Sequence, residues 1–210
     1  MDAWPVELSH GKVTLRPLRL RDARDWRATR LRNRAWLEQW EGAAPSAPRV
    51  SWDSRHSTAV FATVVRSHRK QGRAGTGMGF AVIYHGRLVG QVTVSSIVRG
   101  AFDSGTIGYW VDEDVAGRGI TPTAVALATD HAFAVGLHRI EINIRPENDA
   151  SLRVVEKLGF RDEGLHERYL FIDGAWRDHR TFALVREDLR GTVLRRFLSS
   201  CDTPRHLHQE

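Results

Sequence analysis

Two successive strand, turn and helix units occupy the middle of this chain, and they restrict its fold more than any other feature. Residues 106–111, TIGYWV, read as a strand and DEDVAGRGIT follows. From Pro122 onward, Ala124, Leu127, Ala128, His131 and Val135 then recur at helical spacing. Gly117 and Gly119 allow positive φ and close approach, and the N–H groups left unpaired where the helix begins form a cradle suited to a pyrophosphate. Pro122 fits the first helical turn, where its missing N–H costs nothing. Taken alone, the tract reads equally well as a plain strand-to-helix turn that needs two glycines. In the second unit, residues 140–144 alternate as a strand, Pro146 breaks it and Asn148 or Asp149 caps a helix. Leu152, Val155 and Leu158 share one face of that helix, and Gly159 ends it.

The rest of the chain fits one α/β domain, residues 1–200, followed by a flexible tail at 201–210. At 210 residues, 41% of them apolar and seven of them tryptophan, a substantial core is expected. A strand at 13–17, a helix at 21–37, a loop at 41–50 and a second helix from Ser51 to about Ser67 precede a glycine-rich link at 71–79. Two strands around a turn at His85 and Gly86 cover 80–97. Strands at about 161–171 and 176–185 flank a turn at Asp173 and Gly174, and 188–198 reads as a closing helix. The longest apolar stretches, such as 124–128, are far too short to span a bilayer, and residues 1–12 have no apolar signal core, so a soluble cytoplasmic protein is expected. The one cysteine, Cys201, rules out an internal disulfide and is an improbable nucleophile. No nucleophile elbow, Walker A loop or complete dinucleotide fingerprint occurs. The histidines show no metal-ligand spacing, His206 and His208 falling in the tail, and no metal is expected.

The net charge of +6 is concentrated early, with 14 basic against 7 acidic side chains in residues 1–70. Arg24, Arg27, Arg30, Arg32 and Arg34 fall within the first helix, with Trp26 and Leu31 available for its buried side. A solvated helical face is the plainer account of these arginines, and docking onto an RNA-rich surface such as a ribosome is the sharper one.

With these pieces in order, the chain resembles the GNAT superfamily of acetyl-CoA-dependent N-acetyltransferases. The resemblance is carried by AGRGIT at 116–121 and by Asn148, Ser151, Glu156, Lys157, Leu158, Gly159 and Phe160, which form an N-x-x-S…E-K-L-G-F signature. VTLRPLRLRDA at 13–23, IGYWV at 107–111, and Gly164 with YLFIDGAWRDH at 169–179 are similar to the branch that acetylates N-terminal amines of ribosomal and other proteins. The likeness covers most of residues 12–188. It implies an α/β fold whose mixed, mostly antiparallel sheet is splayed at the site of acetyl-CoA, between the strand ending at Val111 and the strand beginning near Arg139. One departure is Asp114, where the superfamily pattern has glutamine or arginine; the carboxylate is expected to point outward, leaving backbone amides to bind.

The resemblance also implies roles. Gly117, Arg118, Gly119, Ile120 and Thr121 would hold the diphosphate, and Tyr109, Trp110 and Val111 would run beside pantetheine, with core packing the plainer role for either aromatic ring alone. Val111 N–H would stabilise the oxyanion. Asn148 and Lys157 would contact the cofactor, and Ser151 would anchor it or protonate the leaving sulfur; helix capping is the competing account of Asn148 and Ser151. The position aligned with the carboxylate of some relatives is Leu170, so the base is open among Glu113, Glu141, Glu163 and Glu167, with Glu163 and Tyr169 carried as catalytic candidates. An N-terminal amine has a pKa of about 8, so positioning alone can serve. Trp36, Trp40 and Glu41 lie where the family roofs its acceptor groove, core packing being the default for the tryptophans. The leading activity is acetylation of a protein N-terminus, a ribosomal-protein alanine or serine type. The alternatives are acetylation of a small amine such as an aminoglycoside or polyamine, and a non-catalytic acetyl-CoA-binding or ribosome-associated protein. No membrane partner is implied, and a dimer is one assembly open to the chain.

Overall fold

A computed structural model describes residues 4–46 and 50–202. Strands β1 (Leu8–His10) and β2 (Val13–Pro17) lead into helices α1 (Ala23–Arg32), α2 (Arg34–Leu37), α3 (Trp52–Arg55) and α4 (Thr58–Ala74). Then come β3 (Met78–Tyr84), β4 (Arg87–Val98), β5 (Ser104–Val111), α5 (Ile120–Ala134), β6 (Arg139–Ile144) and α6 (Asp149–Leu158). β7 (Arg161–Ile172), β8 (Ala175–Val185) and α7 (Val193–Asp202) complete the order. Eight strands form one sheet in the order β1-β2-β3-β4-β5-β6-β8-β7. Every neighbouring pair is antiparallel except β5 and β6. The expected mixed, mostly antiparallel α/β architecture is therefore found.

Period-2 alternation along β3 divides the interior between two faces. Met78, Phe80 and Val82 join the larger core with α5, α6 and α7, whereas Ala81 and Ile83 pack on the other face with Trp26 of α1 and Phe61 and Val65 of α4. Helix α5 lies against the sheet with eleven buried residues, which is why its sequence is apolar nearly all round. α7 is docked by Asp130, whose carboxylate accepts from Val193 N at 2.7 Å and Leu194 N at 3.1 Å.

Both expected N-terminal helices break where a polar side chain turns inward. Asn33, at φ −93° and ψ 23°, separates α1 from α2 and sends its amide to Asp112. His56 separates α3 from α4 and reaches Glu41. Ser51 and Ser57 cap the two resulting pieces. α4 runs on to Ala74, shortening the glycine link that the sequence suggested from residue 71. The closing helix extends through Asp202, so the expected tail begins no earlier than residue 203; residues 203–210, with His206 and His208, lie outside the described residues. No helix among the described residues is long and apolar enough to cross a membrane.

β5 and β6 share only the rungs Ser104↔Arg139, Gly105↔Ile140 and Thr106↔Glu141, and then separate. On its other edge β5 stays paired with β4 up to Gly90↔Val111. A Cβ on Gly90 would sit 2.4 Å from the Trp110 carbonyl oxygen, so only glycine permits this approach. Gly90→Ala should displace β5 at the mouth of the gap and cost about 1–3 kcal/mol, read as a lower urea midpoint.

Candidate acyl-transfer site

Along the free edge of β5 the backbone is aimed into the gap. Asp112 N donates to Val89 O at 2.7 Å, toward β4. In a trans peptide the preceding carbonyl points the opposite way, so Val111 C=O, and Val111 N–H with it, face the gap. The carbonyl is taken by Trp36 Nε1 at 3.2 Å. Alternation turns Tyr109 to the larger core and Trp110 to the smaller one, and both rings also line a cavity of about 610 Å³ that occupies the gap.

At one end of this cavity lies the glycine turn. Gly117 and Gly119 have φ of 77° and 76°, the left-handed region, and Gly119 is the residue immediately before α5. Neither needs to be glycine for space, since an added Cβ would meet nothing within 4 Å at Gly117 and only Phe197 Cζ at 3.9 Å at Gly119. Conformation makes the demand, and Gly117, Gly119, Thr121 and Pro122, at and just before the first turn of α5, form this wall of the cavity. Asp114 is held beside Arg32 at 3.6 Å with its side chain 74% exposed, turned outward as expected.

The opposite wall is the start of α6. Asn148 Oδ1 accepts from Ser151 N at 3.1 Å, so Asn148 does cap the helix, and both residues also line the cavity. Tyr109 Oη crosses the gap to donate to Ser151 O at 3.4 Å. Burial pushes this hydroxyl's pKa up, so it stays protonated as a donor.

At the other end of the cavity sits a charged cluster. The Arg30 guanidinium lies 5.8, 5.2 and 4.9 Å from the rings of Trp26, Trp52 and Trp110 and forms a salt bridge with Glu41. Burial lowers the Arg30 pKa, an effect that the Glu41 charge opposes. His56 Nδ1 faces Trp52 O at 2.8 Å and Nε2 faces Glu41 Oε1 at 3.3 Å. Burial alone would raise Glu41, but the His56 hydrogen bond and the Arg30 and Arg55 charges outweigh it, and the carboxyl pKa is held below its ordinary value. Glu41 Oε2 has no hydrogen-bond partner among the described residues, with Arg55 Nη1 3.9 Å away. Beyond it, Gly42 bridges to Ile172 and Ala43 N donates to Phe171 O at 3.0 Å, tying this segment to the β7–β8 hairpin.

The profile of the acetyltransferase (GNAT) domain matches residues 12–161. The chain belongs to the GNAT acetyltransferase family. Its sequence is 30% identical over 195 residues to the [ribosomal protein uS5]-alanine N-acetyltransferase of Escherichia coli, covering 87% of this chain and 92% of that one. It is 43% identical over 103 residues to the probable N-acetyltransferase YjcK of Bacillus subtilis, covering 49% of this chain and 57% of the relative's length. The structure of Mycobacterium smegmatis RimJ in complex with CoA-disulfide matches with a TM-score of 0.90 and 38% identity, over 95% of this chain and 96% of that one.

Within this GNAT domain, Tyr109, Trp110, Val111, Gly117, Gly119, Thr121, Asn148, Ser151 and Lys157 come together around the cavity. Arg118 does not join them and donates to Asp114 O at 3.0 Å, while Ile120 is buried in the core. Two catalytic candidates lie elsewhere. Glu163 is bound by Arg139 and Arg161, and those hydrogen bonds hold its pKa at about 2, far too low for a base at neutral pH. Tyr169 is exposed on β7 between the rings of His166 and His179, at 5.1 and 5.8 Å. Glu113, Glu141 and Glu167 do not line the cavity either; its carboxylates are Glu41, Glu147 and Asp149. Trp36 and Trp40, assigned by default to core packing, line the cavity instead, with Arg145 stacked 5.2 Å over Trp40. Among the described residues no group of His, Cys, Asp and Glu is arranged to hold a metal.

Two substitutions test the charged cluster. Arg30→Ala empties a buried site among three tryptophan rings and removes one charge from half-buried Glu41, and should cost roughly 3 kcal/mol, measured by denaturant titration. The folded-state pKa of Glu41 is depressed, so its stabilisation is present above the unfolded value of about 4.3 and lost as pH falls through the folded one. Glu41→Gln should therefore flatten the acid limb of stability against pH below about pH 4.

Proposed function

We propose that this chain transfers the acetyl group of acetyl-CoA to the α-amine of a protein N-terminus, with an alanine-type ribosomal protein as acceptor. The observation that carries the reading is the single cavity that runs from the glycine turn, through the parted strands, to the Arg30–Glu41 cluster, giving one acyl donor and one amine a common meeting point. Acetyl-CoA supplies the activated thioester. Main-chain donors at Gly117 to Thr121 suit its diphosphate, and the free edge of β5 suits the amides of its pantetheine arm. Val111 N–H points into the gap and would donate to the thioester carbonyl oxygen as it gains charge during attack by the amine. Ser151, on the cavity wall, would give its hydroxyl proton to the departing thiolate as the C–S bond breaks and regain one from the amine nitrogen as the amide forms, with Tyr109 fixing the Ser151 backbone. Glu41, held ionised, is a poor proton acceptor and a good partner for the acceptor's ammonium, so it orients rather than deprotonates. An α-amine with a pKa of about 8 already has a neutral fraction at pH 7.

Similarity to the uS5-alanine enzyme over 87% of the chain supports the protein acceptor. So does the charge of the cavity: Glu41, Glu147 and Asp149 are balanced by Arg30, Arg153 and Lys157. A polyamine or aminoglycoside would call for an excess of acid.

Thiol release with acetyl-CoA and short peptides of varied first residue, alongside polyamines, aminoglycosides and lysine side chains, decides among these. Alanine-starting peptides should turn over fastest; turnover confined to small amines, or binding with no turnover at all, would overturn the reading. Ser151→Ala should lower kcat about 10²-fold while leaving the Kd for acetyl-CoA near its original value; an equal fall in both would make Ser151 an anchor. Gly119→Val, forced into a left-handed conformation, should abolish acetyl-CoA binding in calorimetry while the domain retains its circular dichroism.

A further inference from the structure

Helix α4 carries no acidic residue, and Arg66, Arg69, Lys70 and Arg73 are all exposed on it. Their i, i+3, i+4, i+7 spacing lines four cations along one stripe about 10 Å long. None of the four has an ion pair with an acidic side chain among the described residues; Arg66 Nη2 donates to Thr63 Oγ1 at 3.0 Å. The helix C-terminus accounts for Arg73, which sits in the last turn, but its field does not reach the others. Arg66 and Lys70, and Arg69 and Arg73, are like charges at i, i+4, a spacing that destabilises a helix unless an anion intervenes. Together with Ala74 they rim a shallow depression that is separate from the acetyl-transfer cavity.

The arginines of α1 and α2 make the contrast clear. Arg27 pairs with Asp53, Arg32 with Asp112, Arg34 with Glu38, and Arg30 is buried, leaving Arg24 as the exposed cation of the five without a described ion pair. The RNA-facing role considered for that helix has little free charge behind it, whereas α4 keeps its charge available.

We infer that the α4 stripe binds the phosphate backbone of RNA. A membrane surface is a poorer match, because a helix lying in a bilayer interface needs an apolar flank, and α4 turns Phe61 and Val65 into the core while Thr63, Ser67 and Ala74 border the stripe. An acidic protein surface presents carboxylates singly, whereas a row of evenly spaced cations with no apolar anchor among them suits a polymer charged at every repeat. Three of the four are arginines, whose planar fork meets phosphate oxygens in pairs. The stripe lies outside the catalytic machinery, so the inference stands or falls independently of which amine is acetylated.

The test is fluorescence anisotropy of a labelled unstructured single-stranded RNA against the full chain, from about 50 to 200 mM KCl. Four phosphate contacts predict a log–log salt slope of about −2.8, a loss of about fifty-fold over that range. The variant R66Q/R69Q/K70Q/R73Q should lose the binding and the slope, yet keep or slightly raise its thermal midpoint and keep its acetylation of a free alanyl peptide; R24Q should bind RNA as before. Single R69E serves the same purpose if the fourfold variant does not fold. Unchanged RNA affinity in these variants would overturn the inference, as would phosphatidylserine vesicles or polyglutamate binding the original chain as tightly as RNA through the same four residues.

Discussion

A strand edge with no neighbour is the constraint around which this molecule is organised. β5 begins as an interior strand, bonded on both sides, and loses one partner after Thr106. Backbone groups so placed must find water, a side chain or a ligand. Trp36 takes one of them, the Val111 carbonyl, and the remainder open onto a cavity. Much else in the fold keeps the gap open: Gly90 allows β4 to hold β5 in place, α5 and α6 enter as its two walls, and the Tyr109 hydroxyl ties one side to the other at depth.

The charged end of the cavity rests on a different balance. A buried arginine is unfavourable alone, and the three tryptophan rings about Arg30 replace part of its lost hydration while Glu41 supplies the opposite charge. Arg55 and His56 then reinforce Glu41 from the far side. Asp112 repeats the pattern nearby, buried and bound by Arg32 and the Asn33 amide. The two sets fasten the N-terminal helices to the end of β5, which explains why those helices break at Asn33 and His56 rather than running through.

Local signals carried far in this sequence. The glycine turn, the cap at Asn148 and the period-2 strands are legible because each depends on residues adjacent in the chain, and the nine cavity-lining residues named from the sequence lie in the two strand, turn and helix units, β5 to α5 and β6 to α6. What was hidden depends on neighbours distant in sequence. Spacing alone leaves Arg30 among five helical arginines of which several must be exposed, although Trp26 stands one turn before it and a buried Trp26 carries an i+4 partner inward. Its other two rings come from residues 52 and 110, which no helical period relates. Glu163 reads as available for a base because Arg139, which binds it along with Arg161 two residues before it on the same strand, reaches it only after β6, β7 and β8 assemble. For Trp36 and Trp40 apolarity alone favours the core, whereas the resemblance puts them at the roof of the acceptor groove, and both line the cavity.

The contact between Gly42 and Ile172 has a consequence for how the protein comes into being. It joins segments separated by most of the chain, and closing so large a loop costs entropy that local helices do not. During synthesis the N-terminal helices and β1 to β5 emerge long before the β7–β8 hairpin that receives this strap. Glu41 and its neighbours therefore wait without that strap, and a ribosome-bound chain short of Ile172 would hold β1 to β6 of the sheet, without β8 or the β7 that pairs with it, and an unfinished site.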